Sequence, residues 1–174
     1  EADLVNFFGT VDKDQLLTNQ IFPSLPDKSL NDLIVSALNQ KIGGLEKINV
    51  KDRKYFDNLN SGIPQGNPLS PLLSNVYLSP FDIFCKEKDY NLVRYADDFV
   101  ILCSNKTNCL QAYKDCKQIL NGINLEIHPL ENGGKTNIIH IGKKSFDFLS
   151  ITFNGNSFYP SGKNVLRFKN KIRD

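Results

Sequence analysis

The stretch "LVRYADDFVILC", residues 92–103, sets two adjacent acidic residues between two apolar arms. The β-branched and aromatic residues of these arms predict a β-hairpin that carries Asp97 and Asp98 at its tip. No Gly, Asn or Pro is present to make the turn. Two carboxylates held beside a core lose solvation and repel each other, which pushes protons back onto them unless a cation joins them.

A divalent cation would remove that penalty. Mg²⁺ takes hard oxygen ligands, usually one or two carboxylates with substrate phosphates and waters. A third carboxylate would let two ions sit about 3.5–4 Å apart, the arrangement that serves phosphoryl transfer. Asp3 is the natural third member, because it is the acid that enters the apolar segment "ADLVNFF". The alternative is an ordinary surface turn, which is the commoner origin of an Asp-Asp pair; the apolar flanks argue against it here.

The remaining pattern predicts an α+β fold, with an antiparallel sheet covered by helices on one face. Strands are expected at 2–8 and in "FDFLSITF" and "SFY", with a turn at Asn154-Gly155. Helices are expected at 12–19, 30–38 and 107–120, and a further helix at 68–87 despite Pro71 and Pro80. Residues 47–60 predict a polar hairpin.

Composition places the chain among soluble globular proteins. Of its 174 residues, 40% are hydrophobic and 23% charged, which excludes a disordered chain. It shows no long apolar run and no leader pattern, so we expect neither a membrane span nor a signal peptide. Its four cysteines form no Cys-x-x-Cys pair, which favours reduced thiols and a cytoplasmic location of bacterial type, or an organelle. Because methionine is absent even at position 1, we expect a fragment or processed form.

Three motifs carry a family resemblance. "RYADDFVIL" resembles the Tyr-x-Asp-Asp motif of reverse transcriptases, in the form of group II intron-encoded and related bacterial enzymes. "SGIPQGNPLSPLLSNVYLSPFD" resembles the Pro-Gln-Gly block of that family, and "ADLVNFF" its first catalytic motif. The motifs occur in the family's order. The resemblance implies a polymerase palm with incomplete fingers and thumb: palm at 1–40 and 61–158, a fingers-type hairpin at 41–60, and the start of the thumb at 159–174.

The resemblance also implies the catalytic residues. Asp3, Asp97 and Asp98 would be catalytic and would bind two Mg²⁺ ions, or Mn²⁺ in their place, with the main-chain carbonyl of Leu4 as an extra ligand. Together they would transfer a nucleotide to a primer 3′-hydroxyl by the two-metal route.

Four further residues would bind the incoming nucleotide. Phe8 corresponds to the bulky residue that excludes a ribose 2′-hydroxyl, and Gln65 and Gly66 would line the pocket. Lys135 matches a lysine near the leaving pyrophosphate. Without the resemblance, Phe8 reads equally as a core aromatic, the Pro-Gln-Gly stretch as a loop, and Lys135 as a surface lysine.

Primer and template contacts are implied elsewhere. Tyr95 lies beside the aspartates, and Leu149 and Ser150 fall in a segment that resembles the primer-grip hairpin. Two positions depart from the family: Ser150 replaces a usual Gly, and Gly9 a frequent Asp. Near the end of the sequence, basic residues recur every four positions and predict a positive ridge on a helix. This ridge is either solvated or in contact with template–primer phosphates. The basic residues are Lys163, Arg167 and Lys171.

The implied activity is RNA-directed DNA polymerisation, with an RNA template, a DNA primer and dNTPs as partners. Intron RNA and a fused or associated integrase or nuclease are further expected partners. The alternative is an RNA-binding maturase or splicing module on the same fold, in which polymerisation is secondary. The biological settings that stay open are intron mobility, CRISPR spacer acquisition, phage defence and a retron-like role.

Overall fold

The structure, a computed structural model, describes residues 1–39, 44–53, 62–64 and 66–173. It has two compact units, Glu1–Thr136 and Asn137–Asp174. Helices alternate with antiparallel strands, which confirms the predicted α+β class. The strands are β1 Asn91–Tyr95, β2 Asp98–Leu102, β3 Phe146–Phe148, β4 Ile151–Asn154 and β5 Ser157–Pro160. The α-helices are α1 Phe7–Thr10, α2 Lys13–Leu16, α3 Phe22–Ser24, α4 Asn31–Leu38, α5 Val50–Arg53, α6 Ser70–Tyr77, α7 Ser79–Glu87, α8 Lys106–Gly122 and α9 Gly162–Arg173.

The predicted hairpin around the two aspartates is confirmed. β1 and β2 pair antiparallel with Tyr95 opposite Asp98, so a two-residue loop, Ala96-Asp97, joins them. We call β1, β2 and this loop the aspartate hairpin. Its inner face carries Leu92, Phe99 and Ile101, which pack into the core of the first unit. Helix α7 packs against β1 and α8 against β2, so helices cover this one face, as the alternation along each strand requires.

The outer face of the aspartate hairpin is exposed in part. Val93 is 51% exposed and Tyr95 is 66% exposed, whereas Val100, which pairs with Val93 on the same face, is 7% exposed. An aromatic side chain therefore lies exposed next to the two acidic residues of the turn.

The strand predicted at residues 2–8 is shorter than expected. Only Ala2 and Leu4 form bridges, to Phe99 and Ile127, and the chain turns into α1 at Phe7. Asn6 makes this change of direction, with a left-handed backbone φ of 47°. The prediction of a strand through Phe8 is wrong, because a left-handed residue ends the extended conformation.

Proline placement corrects the predicted helix at 68–87. Two helices, α6 and α7, occupy this stretch, and they meet at Leu78. Pro71 and Pro80 each fall in the first turn of their helix, where the missing N–H needs no partner. Hence neither proline interrupts a helix interior, and the single-helix prediction is wrong.

The predicted hairpin at 47–60 is wrong over its described part. A short 3₁₀-helix, Leu45–Lys47, and α5 occupy that part, and residues 54–60 lie outside the described residues. The helices predicted at 12–19, 30–38 and 107–120 are confirmed as α2 with a following π-helical turn Leu17–Ile21, as α4 and as α8.

The second unit contains a three-stranded antiparallel sheet, β3-β4-β5, followed by α9. Phe146 stacks on Phe153 with ring centroids 5.3 Å apart, and Phe153 also lies near Phe158. The turn predicted at Asn154-Gly155 joins β4 to β5, and Gly155 supplies a φ of 58°. In the part of the chain that the structure describes, no helix is long and apolar enough to cross a membrane.

Candidate active site

The N-terminal segment lies between the aspartate hairpin and the segment 126–128. Ala2 exchanges two backbone hydrogen bonds with Phe99, at 2.9 and 3.2 Å. Since this pairing is antiparallel, one residue further along sets Asp3 across from Asp98 on the same face of the sheet. Like charges directly across a sheet destabilise it, so no structural benefit explains this pair.

The pKa of the Asp98 carboxyl is affected by the nearby acidic residues. Partial burial, then the negative charges of Asp97 and Asp3, raise the pKa of the Asp98 carboxyl above its ordinary value, while Lys135 lowers it. Three carboxylates and one ammonium group thus share a single electrostatic environment. The three residues predicted to be catalytic, Asp3, Asp97 and Asp98, thus lie at one edge of the first unit.

Lys135 lies at this edge as well. Its Nζ is 2.9 Å from Oδ2 of Asp3, and Nε2 of His128 is 3.9 Å from the same oxygen. The Lys135 side chain is 64% exposed, so it reaches the carboxylate from the solvent side. Sequence reasoning predicted Lys135 for this site, whereas His128 was missed because nothing in its sequence surroundings connects it to Asp3.

The main-chain carbonyl of Leu4 takes no part in the bonds to segment 126–128. The Val5 N–H donates to Glu126 and the His128 N–H donates to Asp3. Because backbone groups alternate along a strand, the Leu4 carbonyl points away from that segment. Its role as a metal ligand stays a prediction.

Arg94 holds the turn of the aspartate hairpin from behind. Its guanidinium donates two hydrogen bonds to the carboxylate of Asp82, one to Oδ1 at 2.7 Å and one to Oδ2. Nη1 donates to the carbonyl of Ala96 at 2.8 Å and to Oδ1 of Asn75 at 3.0 Å. Ala96 itself has a left-handed φ of 53°, a conformation that non-glycine residues adopt only when their surroundings impose it.

Phe8 is brought next to the Pro-Gln-Gly block. Its carbonyl accepts a hydrogen bond of 2.8 Å from the N–H of Ile63. A Cβ on Gly62 would lie 2.0 Å from that carbonyl oxygen and 2.7 Å from the backbone of Gly9, so only glycine fits. The Phe8 ring is partly buried and meets Phe7 edge-on, with centroids 5.3 Å apart. Its position is compatible both with a core aromatic and with a pocket wall.

The sequence also predicts Gln65 and Gly66 for the nucleotide pocket. Gly66 has a φ of 85°, and a Cβ there would meet no atom within 4 Å, so open space lies before it. Gln65 lies outside the described residues. The Ser70 hydroxyl donates to the carbonyl of Pro64 and so fixes the loop to the start of α6.

Gly9 has its own explanation. A Cβ at Gly9 would lie 2.5 Å from Nδ2 of Asn6. At position 9 the chain has Gly where the reverse transcriptases it resembles often have Asp. The side chain of Asn6, which has a left-handed backbone, occupies the space that the larger residue would need.

Leu149 and Ser150 form the loop between β3 and β4, in the second unit. Both have positive φ, 48° and 70°, as in a type I′ hairpin turn. The Ser150 carbonyl accepts from the N–H of Ser161 at 2.9 Å and from Nδ2 of Asn164 at 3.3 Å. These bonds attach the turn to the start of α9, whose residues Lys163, Arg167 and Lys171 are all exposed. The predicted positive ridge thus exists on a helix.

The carboxylates of Asp3, Asp97 and Asp98 do not form a complete set of metal ligands. Among the described residues, no three His, Cys, Asp or Glu side chains are grouped closely enough to hold a metal ion. Lys135 neutralises Asp3, and like-charge repulsion keeps unneutralised carboxylates apart. In kind, the donors suit Mg²⁺ or Mn²⁺, since all are hard oxygens.

Two residues that sequence reasoning missed are Arg94 and Asp82. The sequence does contain a signal for Arg94. Arg94 shares the inner face of β1 with Leu92, and a charged group on that face needs a partner. Asp82 is an acid inside the otherwise apolar and small-residue stretch after the Pro-Gln-Gly block. Pairing the two required the crossing of α7 over β1, which no local pattern gives.

Comparison with known families gives one result. A family model described as reverse transcriptase (RNA-dependent DNA polymerase) matches residues 1–153. The matched range includes the whole first unit with Asp3, Asp97, Asp98 and Lys135, and it extends into β4. No curated protein matches the chain.

Proposed function

Because the chain belongs to the reverse transcriptase family, which comprises RNA-directed DNA polymerases and hence nucleotidyltransferases, we propose that Asp3, Asp97 and Asp98 are its catalytic residues. The observation that carries the proposal is the antiparallel pairing of Ala2 with Phe99, which sets Asp3 across from Asp98. Two acidic residues from distant parts of the chain, placed across from each other without structural benefit, are accounted for by a shared cation.

The family generally uses divalent metal ions. We propose that Asp3, Asp97, Asp98 and the carbonyl of Leu4 hold two Mg²⁺ ions, for which Mn²⁺ can substitute. Bound there, the ions supply the positive charge that activates the primer 3′-hydroxyl and stabilises the departing pyrophosphate. The raised pKa of the Asp98 carboxyl supports this assignment, because that group gains most from a nearby cation.

Lys135 has a role that depends on the state of Asp3. While it neutralises Asp3, its side chain is mostly exposed. Once cations neutralise the acidic residues, its ammonium group is available to an anionic triphosphate, which suits a lysine near the leaving pyrophosphate.

Phe8, Gln65 and Gly66 bind the incoming nucleotide in this proposal. The contact between Phe8 and Ile63 supports it, because it brings the first motif against the Pro-Gln-Gly block. The Phe8 ring would exclude a ribose 2′-hydroxyl, and the open space at Gly66 leaves room for the nucleotide. RNA template and DNA primer would lie beside Tyr95 on the outer face of the aspartate hairpin. In the second unit, Leu149, Ser150 and the basic side chains of α9 are separately proposed to contact primer or template.

The alternative is a maturase-type module, closest to group II intron-encoded proteins, that binds intron RNA and polymerises only secondarily. The exposed Lys163, Arg167 and Lys171 on α9 support RNA binding of either kind. The crowded acidic residues favour polymerisation, because RNA binding alone gives no reason to keep them.

Primer extension tests the proposal. The full-length protein is assayed on poly(rA)/oligo(dT) with Mg²⁺, beside Asp97→Asn and the control Glu87→Gln on the exposed end of α7. The proposal expects extension by the unsubstituted protein and the control, and none by Asp97→Asn. Extension by Asp97→Asn at the unsubstituted rate would refute it.

Sugar selection tests the role of Phe8 separately. Phe8→Ala removes the ring that would exclude the 2′-hydroxyl, so incorporation of ribonucleotides should rise relative to deoxynucleotides. An unchanged dNTP/rNTP ratio in single-nucleotide extension would show that Phe8 is a core aromatic without this function.

A further inference from the structure

Arg94 connects three parts of the first unit whose relative positions the reaction would need to be fixed. Its guanidinium bonds to Asp82 on α7, to Asn75 on α6 and to the carbonyl of Ala96 in the turn. Only 11% of its side chain is exposed. A nearly buried guanidinium with four hydrogen bonds restricts the positions of its acceptors, because its donors are planar and fixed in direction.

The turn that Arg94 contacts is under strain. Ala96 occupies the left-handed region at a φ of 53°, and the next two residues are Asp97 and Asp98. Without a fixed donor to the Ala96 carbonyl, a non-glycine residue would relax towards an ordinary conformation and carry both carboxylates with it. The bond from Arg94 therefore keeps the direction in which the aspartates point.

The same guanidinium also bonds to α6. α6 carries Asn75, and its first residue, Ser70, bonds to the carbonyl of Pro64 in the Pro-Gln-Gly block. Two residues of α6 thus connect that block to Arg94 and the Ala96 carbonyl, and the helix itself joins Ser70 to Asn75.

We propose that Arg94, held by Asp82, is a positioning residue that sets the aspartate turn for metal binding. It touches neither metal nor substrate, and it acts through the backbone of Ala96. The inference rests on the proposed function, since it presumes that Asp97 and Asp98 bind the ions. It predicts that metal affinity, rather than nucleotide affinity, suffers first when Arg94 or Asp82 is changed.

The test compares Arg94→Lys and Asp82→Asn with the unsubstituted full-length protein and with Lys117→Ala, an exposed position on α8. Arg94→Lys keeps the charge but loses the planar pair of donors. We expect the Mg²⁺ concentration for half-maximal extension to rise about tenfold or more in both variants, the range found for residues that orient metal ligands. The KM for dNTP at saturating Mg²⁺ should stay within about twofold, since the bonds lost in either variant do not reach the nucleotide pocket directly.

Direct Mn²⁺ binding, followed by electron paramagnetic resonance without nucleotide, should weaken in parallel. Asn75→Ala removes one bond from the guanidinium and is the variant to use if the others do not fold; it should shift both readouts in the same direction by less. Unchanged Mg²⁺ dependence and Mn²⁺ affinity in folded variants would overturn the inference and assign Arg94 a purely structural role. Activity that survives Asp97→Asn would instead overturn the proposed function, so the two failures are distinct.

Discussion

Two tight turns of the molecule, one in each unit, place non-glycine residues at positive φ and are stabilised by different contacts. The turn Ala96-Asp97 and the turn Leu149-Ser150 are both two-residue hairpin loops, and both put non-glycine residues at positive φ. The first is held by a side chain, Arg94, which is itself fixed by an ion pair to Asp82. The second is held mainly by a backbone N–H, that of Ser161 at the start of α9.

The difference follows from what each turn carries. The first turn places charge, and charge that repels itself needs a rigid support with a compensating cation in the surrounding structure. The second places only the uncharged, exposed residues Leu149 and Ser150, so one backbone hydrogen bond and one hydrogen bond from the side-chain amide of Asn164 are sufficient. Substitutions in the first turn should therefore act on chemistry, and substitutions in the second on stability.

The largest expected effect is on catalysis. Asp98→Asn should lower the primer-extension rate by about 100- to 1,000-fold, because metal-ion stabilisation contributes several kcal/mol and 1.36 kcal/mol corresponds to tenfold in rate. Ser150→Ala, at the matching place in the other turn, should leave the rate within about threefold, since it removes one hydroxyl from the proposed primer contact and keeps the backbone bond to Ser161. Equal losses in the two variants would erase the distinction between the turns.

The aspartate hairpin could be predicted because its signal is local. Apolar arms flank the acidic pair, and alternation along the strands puts Asp98 on the open face. The partnership of Asp3 with Asp98 could be anticipated from the position of Asp3 in an apolar segment. By contrast, the bonds of Arg94 to Asp82 and Asn75 depend on how α6 and α7 cross β1, and no spacing in the sequence encodes that crossing.

Some errors came from competition between local signals. The segment 2–8 has strand composition, yet Asn6 enters the left-handed region and begins α1. Two prolines looked like interruptions of one helix and instead begin two. In both cases the hydrophobic pattern predicted one long element, and a restriction on the backbone conformation ended or divided it.

The second prediction compares two glycines of the Pro-Gln-Gly block, one in tight contact and one in open space. Gly62→Ala should lower the free energy of unfolding by about 2–4 kcal/mol, because it adds left-handed strain and a clash with the Phe8 carbonyl. Gly66→Ala adds only the strain, about 1 kcal/mol. Urea denaturation of both variants measures the difference, and similar losses would mean that the contact with Phe8 does not constrain Gly62.

The third prediction introduces glycine into both turns. Ser150→Gly should raise the free energy of unfolding by up to about 1 kcal/mol, because glycine adopts a φ of 70° without steric strain. Ala96→Gly should have the same sign, yet it should also loosen the aspartate turn and raise the Mg²⁺ requirement. Thermal melts and Mg²⁺ titrations of both variants separate the two effects; a higher Mg²⁺ requirement for Ser150→Gly would contradict the account.

The smallest effect concerns pH. Since the pKa of Asp98 is raised above 3.8 in the folded protein, the native state binds protons more readily than the unfolded state just above that pH. Stability should therefore fall as pH rises through this window, and Asp98→Asn should escape that loss. Metal-free melts of both proteins at a series of pH values should show the variant gaining relative stability towards neutral pH. A constant difference would mean that Asp98 is not strained by its neighbours.

Mn²⁺ binding to Asp3→Asn, Asp98→Asn and the double variant, in the full-length protein, tests most directly whether the two acidic residues share a cation. If they do, each single substitution should weaken Mn²⁺ binding, and the double substitution should add little more, because a site lost once cannot be lost twice. Strictly additive losses, or binding unaffected by Asp3→Asn, would contradict the shared site.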